Sequence, residues 1–242
     1  MRDKYHNYLG IKDLSLIFLI FFVVNAFSGV IYWATDFDIA IENYSKICYV
    51  PCFIIIILLT AFYREKRLKK SLSLKIKRGL FDARYALIGI IMLIFINIFL
   101  EPIMAVLPDD KQSYIDFFGG GNRSFTIILS VVFAPILEEV FFRRMVLRDL
   151  CNHFVAWKAI LLSALFFASV HLNFVQGIPA FFAGVLLGYI YVKTNFSLTT
   201  TIFIHFFNNL VSMEIVTNGL MSESMSFSSM ITDTTIYWGV YI

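Results

Sequence analysis

Charge is what this sequence has least of. Only 15% of its 242 residues are charged, and 59% are hydrophobic. Soluble domains carry about 25% charged residues, so the shortfall excludes an ordinary water-soluble fold and points to an integral membrane protein. The mean hydropathy of +0.78 agrees. A formal charge of +3 is too small to hold a polyanion and argues against a nucleic-acid partner. Three cysteines give no disulfide framework. Cys48 and Cys52, one turn apart in an apolar stretch, read as packing residues. Cys151 falls in what reads as a cytoplasmic turn, where it stays reduced. Only five prolines, with no low-complexity tract, repeat or linker, leave one compact helical unit. What is abundant is aromatic: 27 Phe and 12 Tyr, suited to lipid-facing and interfacial surfaces.

The apolar runs predict an all-α fold, a polytopic transmembrane helical bundle of about seven to eight helices. Spans are expected over 14–34, 47–63, 85–107, 124–142, 157–175, 178–192 and 196–213, with Gln176 to Pro179 as a turn between the fifth and sixth. The first run is too long for a signal-peptide core, which is usually about 7–15 residues, although Ala26-Phe27-Ser28 resembles a cleavage site. Residues 64–84 carry Arg64, Lys66, Arg67, Lys69, Lys70, Lys75, Lys77, Arg78 and Arg84. Such a loop stays in the cytoplasm. There it serves as an anchor on anionic headgroups or as a substrate dock.

Asp109, Asp110 and Asp116, with the Gly119-Gly120-Gly121 run, mark an outside loop over 108–123; Arg143, Arg144, Arg148 and Lys193 mark inside ends. The tail 214–242 has no Lys or Arg and is expected outside. Its 231–242 stretch is shorter than the about 20 residues a span needs and suits an interfacial segment or part of an eighth helix. The expectation is a multi-pass protein of the cell membrane, in contact with the lipid bilayer, with a cytoplasmic N-terminus. It divides into N-terminal helices with a basic loop (1–123), a helical core (124–212) and a tail (213–242).

Polar residues inside these spans are few. Glu138 and Glu139 end an uncharged stretch, and a carboxylate within a membrane costs a few kcal/mol, roughly 3 by insertion scales. His171 and the His205/Asn209 pair lie in later spans, while His6 and His153 fall outside them and read as solvated. Residues i and i+4 share a helix face, so Glu139 can pair with Arg143 while Glu138 faces another helix. His205 and Asn209 share a face, and Phe167 sits one turn before His171.

One Glu and two His suit two chemistries. In one, Glu138 is a general base for water, His171 holds that water, and His205 with Asn209 stabilises the oxyanion. In the other, Glu138, His171 and His205 bind zinc with one open position. The HExxH spacing is absent and the residues come from separate helices, so zinc or no metal remain open. The blander readings are an interfacial Glu pair neutralised by Arg143 and Arg144, a packing role for His171, and interhelical hydrogen bonding by His205 and Asn209.

Glu-Glu-x-x-x-Arg at Glu138 to Arg143, Phe-x-x-x-His at Phe167 to His171 and His-x-x-x-Asn at His205 to Asn209 resemble, in order and spacing, the three motifs of the CPBP family. This is the family of CAAX prenyl proteases and bacteriocin-processing or self-immunity membrane proteases, also called Abi. Ala134-Pro135 fits as well, and Phe182, Gly184 and Gly188, followed by Thr199 to Thr201, look like its linking stretch. The resemblance covers about 124–212; Arg144 stands where a glycine often follows the motif Arg.

It implies an intramembrane endopeptidase, glutamate-dependent or metal-dependent, acting on a small peptide precursor or a membrane-anchored protein. Glu138 and His171 would activate water, His205 and Asn209 would form the oxyanion site, and Glu139, Arg143 and Phe167 would support them. Two other classes compete. A non-catalytic immunity or scaffold protein needs no reactive Glu138. A proton-coupled transporter would use Glu138, His171 and His205 as a relay, but neither a repeat nor paired broken helices accompany them.

Overall fold

The computed structural model describes residues 10–35, 39–68, 79–105 and 122–217. Among the described residues the chain forms seven helices and no strand. They are α1 (Ile11–Ala34), α2 (Ile41–Leu68), α3 (Ala83–Ala105), α4 (Arg123–His153), α5 (Ala156–Ser169), α6 (Phe174–Lys193) and α7 (Leu198–Thr217). The expected 231–242 helix, the Asp109 to Gly121 loop, Lys69 to Arg78 of the basic loop, and His6 lie outside the described residues.

The chain is an all-α, multi-pass membrane protein, yet the seven expected spans need correction. Five helices, α1, α2, α3, α4 and α6, are long and apolar enough to cross a bilayer. The fifth has only 14 residues, about 21 Å of rise, against the about 30 Å of a hydrocarbon core. In α7 the run of Thr199, Thr200 and Thr201, with His205, Asn208 and Asn209, dilutes the apolar content.

The ends differ as well. The fourth helix does not stop at Phe142 but continues to His153, so Arg143 lies inside it rather than at a cytoplasmic end. Its charge is met within the protein by Glu139, 3.1 Å away. His153, expected to be solvated, is half-buried in the last turn of α4, and Cys151 is half-buried in the same turn. The expected turn at Gln176 to Pro179 belongs to α6. Asn173 caps that helix by accepting from the Gln176 N–H at 2.7 Å, which starts it before the proline.

The aromatic residues do more than face lipid. Phe21 of α1 and Phe53 of α2 pack on Phe141 of α4, which also meets Phe166 of α5, with ring centroids 5.7 to 6.3 Å apart. This cluster fastens the first two helices to the C-terminal core. The fifth and sixth helices approach closely because α6 presents no side chain at the crossing. A Cβ on Gly184 would lie 3.1 Å from Ala164, and one on Gly188 would lie 3.2 Å from Ile160. That crossing fixes the turn between α5 and α6, where His171 sits.

Candidate active site

Glu138 lies midway along α4, between two π-helical stretches, Ile128–Phe133 and Glu139–Leu147. Insertions of this type re-aim side chains and recur at functional sites. The adjacent carboxylates diverge. Glu139 is fully buried, with Oε2 3.1 Å from Arg143 Nε and Oε1 3.1 Å from His205 Nδ1. Arg143 is fully buried too, and its guanidinium carbon lies 5.0 Å from the centre of the Phe167 ring. The Glu138 side chain keeps 13% of its surface exposed. Its Oε1 accepts from the Tyr49 hydroxyl at 2.5 Å, and its Oε2 lies 3.7 Å from His205 Nε2. One carboxylate is thus locked into the protein, and the other faces an imidazole with an oxygen to spare.

His205 is held by its partner. An ionised carboxylate only accepts, so a hydrogen bond with Glu139 places a proton on Nδ1 and turns Nε2 toward Glu138. His171 is set in the same way by a different group. Its Nδ1 lies 2.9 Å from the Phe167 carbonyl, an acceptor only, so the proton is on Nδ1 and the Nε2 lone pair is free in the neutral ring.

The sequence places His171 within a long helix, but α5 has ended two residues earlier. Leu172 follows at φ 57°, and the Asn173 amide donates to the His171 carbonyl at 2.9 Å, bracing the turn. Phe167 lies edge-on to both imidazoles, with ring centroids 5.2 Å from His171 and 5.9 Å from His205.

Asn209 is engaged elsewhere. Its Nδ2 donates to the Ser130 carbonyl at 2.9 Å, and its Oδ1 accepts from Asn208 at 3.3 Å. The reason lies in α4. The Ala134 N–H reaches back five residues to the Leu129 carbonyl, and residue 135 is proline, which has no N–H. Neither spacing leaves a main-chain donor for the Ser130 carbonyl, and Asn209 supplies one. The second hydrogen of its amide remains available.

The structure therefore brings together Glu138, Glu139, Arg143, Phe167 and His205, and links His171 to them through Phe167. Asn209 is tied to the first π stretch and has no hydrogen bond to Glu138. Sequence reasoning missed Tyr49, Ser130 and Asn173. A tyrosine two residues before the interior Pro51 of α2 was the available signal for the first; a main-chain acceptor such as Ser130 has no side-chain signature.

The zinc reading meets a difficulty of arrangement. Among the described residues no three His, Cys, Asp or Glu side chains come together as a metal-holding group. The expected set of Glu138, His171 and His205 is not gathered into such a group, and no step below passes through an ion.

A partly exposed carboxylate beside an oriented imidazole, within membrane helices, is equipped for hydrolysis inside a bilayer. The comparison with protein families narrows this. Residues 121–211 match the family described as type II CAAX prenyl endopeptidase Rce1-like, the stretch on which the three motifs fall. The match supports intramembrane protease activity. No curated protein and no solved structure matches the chain.

Proposed function

We propose that the protein is an intramembrane endopeptidase. It hydrolyses a peptide bond in a small peptide precursor or a membrane-anchored protein, in peptide maturation or bacteriocin self-immunity. The observation that carries this reading is the split of the Glu pair. Glu139 neutralises Arg143 and orients His205, while Glu138 keeps Oε2 within 3.7 Å of His205 Nε2 and part of its surface open.

A water molecule with legs of about 2.8 Å to both atoms fits at the apex of that gap. Glu138 takes its proton as the water oxygen attacks the peptide carbonyl carbon, and His171 Nε2 helps hold the water. The oxyanion is met by the second Asn209 amide hydrogen and by His205. Glu138 then gives its proton to the leaving amine. The ion pairs Arg64–Asp149 at 2.8 Å and Arg67–Asp13 at 3.2 Å gather the start of α1 and the ends of α2 and α4 at one basic face. That gathering supports a cytoplasmic N-terminus.

The test is cleavage of a library of peptides and membrane-anchored reporters by the detergent-purified protein, compared with Glu138→Gln. Cleavage by the wild type that falls by about 10²-fold or more in the variant supports the reading. Equal cleavage by both overturns the role of Glu138. Loss of wild-type activity in chelator, restored by zinc, replaces the metal-free mechanism.

A further inference from the structure

The Glu138 carboxylate is bound from outside the family-matched segment. Tyr49 belongs to α2, 89 residues earlier in the chain, and its hydroxyl is the closest polar partner of Glu138 among the described residues, at 2.5 Å. An ionised carboxylate cannot donate, so the phenol does.

The ring is seated for the task. It lies 5.0 Å, centroid to centroid, from Phe53 one turn later on the same helix. Phe53 in turn packs edge-on against Phe21 and Phe141. Two residues past Tyr49, Pro51 has no N–H for the Ile47 carbonyl. The regular ladder of α2 is thus interrupted at the turn that carries the tyrosine.

The geometry points to Tyr49 as a positioning residue of the active site: by holding Glu138 Oε1, it fixes the carboxylate plane and leaves Oε2 for water and His205. This rests on the protease reading for its catalytic consequence, though not for the contact itself. Without the phenol, the His205 ring at 3.7 Å is the polar neighbour that Glu138 keeps among the described residues, and the carboxylate's terminal torsion is broad. The carboxylate then spends less time aimed at the water. On this proposal Tyr49 acts through Glu138, the group its hydroxyl holds. On this account the first two helices are part of the catalytic apparatus and more than a membrane anchor.

The experiment compares wild type, Tyr49→Phe, Tyr49→Leu and Glu138→Gln on one cleavable reporter, with kcat and KM measured separately. Tyr49→Phe keeps the ring on Phe53 and removes only the hydroxyl. The expected result is a kcat lowered roughly 10- to 100-fold with KM unchanged. A Tyr49→Phe protein with wild-type kcat, and loss only in Tyr49→Leu, would show a packing role and overturn the proposal.

A second readout needs no activity. The infrared difference between the protein and Glu138→Gln isolates the Glu138 carboxylate stretch, and that band shifts when the phenol donor is removed. A band unmoved by Tyr49→Phe overturns the proposal. Should the wild type cleave nothing while the band does shift, the protease reading fails and the hold of Tyr49 on Glu138 stands.

Discussion

The first and fourth helices look alike in sequence and differ in surroundings. Both are long and apolar enough to cross a membrane, but 11% of the most apolar stretch of α1 is buried against 44% of that of α4. Val23, Phe27 and Val30 of α1 point away from the protein, whereas α4 turns Glu139, Arg143 and four aromatic or aliphatic neighbours fully inward. Apolarity therefore says that a helix belongs in a membrane and not which of its faces meets lipid. The polar residues carry that information, because a charge without a partner is tolerated in neither lipid nor protein interior.

The contrast can be broken most severely at Glu139. Glu139→Gln leaves Arg143 buried without its counter-charge, and loss of one member of a buried pair costs about 3–5 kcal/mol. A large fall in thermal stability in detergent is expected, together with loss of any cleavage activity as His205 loses its orienting carboxylate. A Tm unchanged from wild type would mean that the pair is not enclosed as described.

The next largest effect separates structure from chemistry at Asn209. Asn209→Ala strips the Ser130 carbonyl of its donor, at about 1–3 kcal/mol. Adding Pro135→Ala returns a main-chain N–H to α4 and should recover part of that stability. The two substitutions would then be coupled in a double-mutant cycle. Activity that stays absent in the stable double variant would assign the second amide hydrogen to the oxyanion; additive stabilities would dismiss the clasp.

Smaller again is Gly184→Val, which drives side-chain atoms toward Ala164. It should lower stability by about 1–3 kcal/mol, as overpacking does, and disturb the His171 turn held by the α5–α6 crossing. Smallest is Phe27→Leu on α1, where the ring is 65% exposed. A change within about 0.5 kcal/mol is expected, and a larger one would mean that this face is covered by protein.

The class of fold was legible because an uncharged run of twenty residues has few other uses, and the Glu139–Arg143 pair was legible because four residues return to one helix face. The turn at His171 was not. Val170, His171 and Leu172 include no glycine or proline, and the left-handed Leu172 has no sequence cue. The length of α4 was misjudged since arginines usually mark a membrane edge, and the partner that keeps Arg143 inside is one turn away on the same helix. Tyr49 was missed for a different reason: Pro51 marks its turn as irregular, but its partner lies 89 positions later, which no local periodicity reports.

The π stretches of α4 set a counting rule for the site. At about 3.6 residues per turn, adding or removing one residue turns everything beyond it by about 100°. The segments Ile128–Phe133 and Glu139–Leu147 each contain a wide turn that an α-helix would close with one residue fewer. A deletion within the first would tighten that turn and rotate 123–127 against the rest, while Glu138, Glu139 and Arg143 kept their mutual register. A deletion within the second would swing Arg143 off Glu139 and dismantle the pair. A length change before the carboxylates thus loosens the Ser130–Asn209 clasp and spares the buried pair, whereas one just after them breaks the pair, an asymmetry that hydropathy plots do not register.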